Sequence, residues 1–313
     1  MYTIKEKPED FVVEEVTNVE PSKDGKFICF WLKKTNLNTL QAIEYIAKAL
    51  HTQPKFINFA GTKDKVAITT QLISIKGKNR VQIEKLKFKD IDLRFFGYRD
   101  EPLHLGELDG NKFKIVLRNV IRKAVKKNNF INYFGEQRFS DYNIAIGKSL
   151  IKSDFNIAVQ LIEKSDSFYF RKLEAYLDKK PNDFVNALKL MPKKLLKLYV
   201  NSYQSYMWNE TVKSYLKNNQ PGENIEVPMI GFGLNIENLE LKEIVNRIMK
   251  VDRLNFRDFI VRALPDLSAE GDNRKIYMDI KEFNMEQKGK TLNLNFQLGK
   301  GSYATEVVRQ LFE

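Results

Sequence analysis

Cysteine and histidine are nearly absent from this sequence. Its 313 residues include one cysteine, Cys29, and two histidines, His51 and His104. A lone cysteine cannot close an internal disulfide, which fits a reducing compartment. The same shortage argues against a zinc site, whose ligands are mostly cysteine and histidine, so no metal is expected. No apolar run approaches the ~18 residues that a membrane span needs, so no membrane partner is expected. The first residues, Met1 to Pro8, lack the apolar core of a secretory signal, and a cytoplasmic protein is expected. Hydrophobic residues at 43% and charged residues at 29% are ordinary for a globular chain and exclude a disordered one.

Positive charge is what the chain has in excess. Lys and Arg number 52 against 40 Asp and Glu, a net of +12, with a pI near 9.4. Residues 1–153 carry +10 of that excess and residues 154–275 only +2. A concentrated excess of this kind suits a polyanionic partner, although a solvated lysine-rich surface reads the same way. Lysine supplies 39 of the 52 basic residues, which favours phosphate contact over bidentate reading of bases.

The first 120 residues alternate strand-like and helix-like stretches. Residues 11–16 and 27–32 are rich in aromatic and β-branched types and read as strands, as do 56–59, 69–75, 91–98 and 113–117. Leu40, Ile43, Ile46, Ala47 and Leu50 recur at helical spacing after a capping Asn36 or Asn38. Helical periodicity dominates from about 143 to 217 and returns at 239–249. Strands are predicted again at 275–280 and 291–298, then a helix over 303–311. The order implies an α+β fold, with helices on one face of a sheet and a mainly helical insertion before the final strands.

Several familiar motifs fail. Gly147-Lys148-Ser149 has the tail of a phosphate-binding loop, but Tyr142 stands where the leading glycine belongs. Gly231-Phe232-Gly233 lacks the third glycine of a dinucleotide fingerprint, and neither histidine lies near a triad. Three other stretches carry chemistry. Ala60-Gly61-Thr62-Lys63-Asp64-Lys65 presents a carboxylate between two lysines, available as nucleophile or base, or else a solvated turn. Asn132 to Phe139 puts an amide, aromatic rings, a glycine and a guanidinium together, suited to an unstacked RNA base or to opening a helix. Gly299 to Thr305 is a glycine-rich junction leading into a helix.

Together these stretches resemble the TruD family of tRNA pseudouridine synthases along almost the whole chain. Pro8-Glu9-Asp10-Phe11 is similar to the family's opening motif and Ala60 to Asp64 to its catalytic loop. Asn132 to Phe139 resembles its Asn-x-x-Gly-x-Gln-Arg-Phe signature, and Ser202 to Asn209 the helix leading into its insertion. Glu270 to Arg274 and Lys300 to Thr305 resemble its last two blocks. Ser140 and Gly299 depart from it, standing where the family usually has Gly and Pro.

The resemblance implies a catalytic domain with a mixed, mainly antiparallel sheet flanked by helices, formed by residues 1–154 and 275–313. A TruD-type α/β insertion would occupy 155–274. It implies isomerisation of uridine to pseudouridine at position 13 in the D arm of tRNA, by a monomer without a cofactor. Asp64 would be the nucleophile and Lys5 its partner. Phe134 would stack on the target base, Asn132 would bond its edge, and Phe11 and Tyr303 would enclose the flipped nucleotide. Lys63, Lys65 and Arg138 are expected to contact the RNA. A non-catalytic RNA-binding or RNA-folding protein on the same scaffold is the alternative. A donor-dependent methyltransferase is disfavoured, because no glycine-rich loop is present for the donor.

Overall fold

The computed structural model describes residues 2–140, 142–165 and 167–313. Contacts divide the chain into two compact units, Met1–Phe130 with Met278–Glu313, and Ile131–Tyr277.

The first unit is an eight-stranded sheet. In chain order its elements are β1 (Phe11–Val16), β2 (Phe27–Thr35), α1 (Thr39–Ala49), β3 (Ile57–Phe59), β4 (Ile68–Lys76), α2 (Arg80–Glu84), β5 (Ile91–Arg99) and β6 (Gly110–Leu117). Strands run β5-β2-β4-β1-β6 and continue through two strands from the end of the chain, while β3 pairs with β4 from outside that path. Only β1 and β4 pair in parallel among the described ladders; the others are antiparallel. A parallel pair needs a long crossover, and here residues 17–67 supply it, including α1 and the loop that carries Asp64.

Register shows which face is covered. Val13 pairs with Thr69, and Thr69 with Lys34, so these three side chains share a face with every second residue on each strand. That face carries Phe11 and Val13, Ile73 and Ile75, and Ile28, Phe30 and Leu32. It is covered by Ala42, Ile43 and Ile46 of α1 and by Val307 and Val308 of the last helix. The helices therefore lie on one face of a mixed sheet. α1 starts cleanly because the Asn38 side-chain oxygen Oδ1 accepts from Gln41 N while the Gln41 side chain accepts from Asn38 N in return.

The second unit holds α3 (Asn143–Ile151), α4 (Phe155–Ser165), α5 (Ser167–Leu177), α6 (Phe184–Leu188), α7 (Lys193–Leu216) and α8 (Leu239–Asp252). A small ladder joins β7 (Glu226–Met229) to β8 (Asp272–Lys275). The glycine of the failed phosphate motif has its reason here. A Cβ at Gly147 would collide with the main-chain oxygen of Tyr199, so α3 and α7 pack backbone to backbone at that point. Neither helix can yield as a flexible side chain would. Gly147→Ala is expected to cost about 1–3 kcal/mol, the usual penalty of overpacking. Thermal unfolding checks this, and an unchanged midpoint would mean that the helices separate without strain.

The chain returns to the first unit through β9 (Ile280–Lys288), β10 (Thr291–Gly299) and α9 (Ala304–Gln310). β10 pairs with β6 and β9 with β10, so the final strands rejoin the first sheet. The strand predicted over 275–280 does not form. Lys275 ends β8, residues 276–279 connect the two units, and Ile280 begins the outermost strand.

Candidate active site

The parallel pair places the Asp64 loop. β1 and β4 run side by side with Val12 opposite Ile68, so the segments that enter them emerge at the same end of the sheet. Residues 5–10 precede β1 and residues 60–67 precede β4. The topology thereby brings Lys5 to Asp64, with Lys5 Nζ 3.2 Å from the Asp64 carboxylate. The Asp64 side chain keeps 36% of its surface exposed, enough for a reactant to touch it.

Lys5 is held in an uncommon shape. Its φ of 58° lies in the left-handed region, which costs a residue other than glycine about 1–3 kcal/mol. Anchors on either side sustain it. Thr3 and Arg118 exchange two main-chain hydrogen bonds of 2.8 and 3.0 Å. The Arg118 guanidinium donates twice to Asp10, at 2.8 Å each, and those bonds hold the Asp10 carboxyl below its usual range. Lys5 Nζ also sits 4.2 Å from the centre of the Phe11 ring.

The loop itself is fastened to the sheet by buried polar groups. Gln71 Nε2 donates to Gly61 O at 2.8 Å. The Thr39 hydroxyl, at the start of α1, accepts from Lys63 N at 2.8 Å and donates to Gln71 Oε1 at 2.9 Å. Lys34 Nζ donates to Asp64 O at 2.8 Å and to Leu37 O at 2.5 Å. Lys63 Nζ lies 2.5 Å from Glu15 Oε2, while Glu15 Oε1 accepts from Leu72 N at 3.1 Å.

Two predicted positions differ from their expected roles. Lys63, expected to contact RNA, has a side chain only 6% exposed, and its ammonium turns inward to a fully buried Glu15 side chain. A buried carboxylate needs a charged partner more than a phosphate contact needs this lysine. Phe11, expected to enclose the nucleotide, is 1% exposed. It packs edge-on against Phe113 and supports Lys5 instead. Lys65 is exposed as a phosphate contact requires, and Tyr303 is half-buried at the residue before α9.

In the second unit Asn132 and Phe134 are both buried. Asn132 Nδ2 donates to Lys275 O at 3.3 Å, and its Oδ1 accepts from Arg274 at 2.6 Å. The Arg274 guanidinium stands 4.2 Å from the centre of the Phe134 ring, and that of Arg138 5.1 Å. Trp208 meets the Phe134 ring edge-on, and Asn209 bonds both main-chain groups of Phe134 at 3.0 Å. The signature is thus a rigid aromatic and guanidinium cluster; the Gln137 side chain within it lies outside the described residues.

Sequence reasoning passed over Lys34, Glu15, Arg118 and Arg274. For Lys34 and Glu15 a signal existed: each continues the buried parity of its strand, after Phe30 and Leu32 and after Phe11 and Val13. Among the described residues no group of three His, Cys, Asp or Glu could hold a metal ion, and no helix is long and apolar enough to cross a membrane.

Known proteins share this arrangement of sequence. A model of the family described as tRNA pseudouridine synthase D (TruD) matches residues 2–168, 164–226 and 219–311. A Nanoarchaeum equitans protein with the name "Probable tRNA pseudouridine synthase D" is 33% identical, across 99% of this chain and 98% of its own. The tRNA pseudouridine synthase D of Aquifex aeolicus is 28% identical, across 99% of this chain and 97% of its own. A crystal structure of a candidate tRNA pseudouridine synthase D from Methanosarcina mazei has the same fold. Its TM-score is 0.73 at 24% identity, covering 99% of this chain and 93% of the other.

Proposed function

The chain belongs to the TruD family of tRNA pseudouridine synthases, and from that premise we propose that Asp64 is the nucleophile that isomerises a flipped-out uridine at position 13 in the D arm of tRNA. The observation that carries this reading is the partly exposed Asp64 carboxylate beside Lys5, on a loop fastened to the sheet by its main chain.

The reaction breaks the N1–C1′ bond, turns the base, and joins C5 to C1′. The proton on C5 leaves to water and N1 gains one, so substrate and product are isomers and no donor enters the balance. Asp64 forms a bond to the sugar C1′ or to the base, and that bond is broken before product leaves. Lys5 keeps a positive charge against the carboxylate. A stacked uridine must be turned out to reach Asp64, at a cost of about a few kcal/mol. Phosphate contacts offset that cost. Lys65 on the loop is suited to one, as are Arg122, Lys123 and Lys126, exposed in a segment, 119–130, without an acidic residue. Phe134, Asn132 and Arg138 of the second unit, and Tyr303 of the first, are the further RNA contacts in this reading. The protein acts as a monomer in the cytoplasm.

Purified protein given tRNA labelled with tritium at uridine C5 is expected to release the label with no added cofactor; retained label would end this reading. Lys5→Met is expected to lower kcat by roughly 10²-fold, the usual loss when one preorganised charge is removed. Lys5→Arg should recover part of it. Equal loss in both variants would assign Lys5 to packing over Phe11 rather than to the charge.

A further inference from the structure

Lys34 is a costly side chain to bury. It is 0% exposed, and it stands on the helix-covered face of β2 where Ile28, Phe30 and Leu32 precede it. No carboxylate bonds to its ammonium. It donates instead to main-chain oxygens, of Leu37 at 2.5 Å, Asp64 at 2.8 Å and Lys63 at 3.5 Å. A buried charge satisfied only by carbonyls is a poor way to stabilise a fold, because an apolar residue avoids the desolvation. What the position offers is a grip on the loop. Asp64 is held at both ends by lysines, its carboxylate by Lys5 and its carbonyl by Lys34.

We propose that Lys34 is a positioning residue for the reaction: its buried ammonium fixes the main chain of Asp64, and with it the direction of the carboxylate, without touching substrate. This rests on Asp64 being the reacting group. The direction of a side chain follows from its own backbone torsions, so a loop free to rotate about Asp64 would present the carboxylate elsewhere. A misplacement of about 1 Å costs a reaction on the order of 10²-fold.

Titration of Lys34 gives a second readout. Burial pushes its ammonium down to about 8, with Asp64 opposing the shift and Lys63 adding to it. The charged groups that face it are these two, with Glu15 of β1 paired to Lys63 and Lys5 paired to Asp64. The folded value lies below the ordinary 10.5. The burial penalty is therefore present while Lys34 is charged, below about pH 8, and is relieved as pH rises from there towards 10.5. Loss of the proton leaves an uncharged amine with two donors in place of three, which weakens the grip, so activity should fall across the window in which the fold gains.

The test compares wild type, Lys34→Met and Asp64→Asn on an unmodified tRNA transcript. Lys34→Met is expected to lower kcat by about 100-fold with KM for tRNA kept within about twofold. Wild-type kcat should fall above about pH 8, and that limb should be missing from Lys34→Met. A Lys34→Met kcat within threefold of wild type overturns the proposal. If that variant does not fold, the wild-type profile decides, and a flat kcat through pH 9.5 overturns it. Asp64→Asn separates the two readings. An active Asp64→Asn removes the nucleophile assignment, whereas an inactive Asp64→Asn beside a fully active Lys34→Met removes only the role of Lys34.

Discussion

Asp64→Ala is expected to abolish pseudouridine formation, with tritium release falling on the order of 10⁴-fold or more, as for removal of other catalytic nucleophiles. The structure makes this substitution informative because it spares the loop. Gln71 holds Gly61 O, Thr39 holds Lys63 N and Lys34 holds Asp64 O. Each bond goes to the main chain and survives loss of the carboxylate. Lys5 keeps its place over Phe11, and the left-handed turn at Lys5 stays anchored by the Thr3–Arg118 and Asp10–Arg118 contacts. One carboxylate contributes little to phosphate contact, so the affinity for tRNA should change by about threefold or less. A variant that binds tRNA and releases no label has lost chemistry and nothing else. Equal release by both proteins would remove Asp64 from the mechanism.

Glu15→Gln is expected to produce the largest loss of stability. Glu15 is buried on the helix-covered face of β1, and its carboxylate meets Lys63 Nζ at 2.5 Å and Leu72 N at 3.1 Å. The substitution keeps the shape but removes the charge, so the ammonium of Lys63, itself nearly buried, loses its partner. Breaking a buried pair from one side costs about 3–5 kcal/mol. At about 2–4 °C per kcal/mol for a unit of this size, the unfolding midpoint should drop by roughly 6–20 °C. Replacing both members, Glu15→Gln with Lys63→Met, should recover much of the loss, because a buried pair exchanged for uncharged groups is often close to neutral. An unchanged midpoint in Glu15→Gln would mean that Lys63 turns out to solvent, and would restore it as an RNA contact.

These two residues also show what a sequence reveals and what it hides. Strands β1, β2, β4 and β5 are legible from their aromatic and β-branched residues, and helix α1 from apolar residues at helical spacing. β9 was missed because an outermost strand leaves most of its side chains in water. Ile280 to Lys288 alternates weakly, with Phe283 and Met285 among charged and amide residues, and a two-residue period there has little burial to enforce it. Within the candidate site, Asp64 and Lys5 could be named from motif resemblance, and the parallel pairing of β1 with β4 gives the reason they meet. Lys63 reads as an RNA contact because Thr62 and Lys65 beside it are exposed, while its partner Glu15 lies 48 positions away. Lys34 and Glu15 went unread for the opposite reason, since a charge that continues a buried parity looks like an interruption of the pattern. The contacts that give it meaning cross the sheet, and no spacing along the chain records them.

The proposed role of Asp64 is to carry the conversion of one uridine of tRNA to pseudouridine. Its most direct test is nucleotide-resolution mapping of pseudouridine in an unmodified tRNA transcript incubated with the purified protein and no cofactor, with Asp64→Ala in parallel. A single new pseudouridine, at position 13 in the D arm, is expected with the wild type and none with the variant. A transcript left unmodified by the wild type, or modified equally by both proteins, would contradict it.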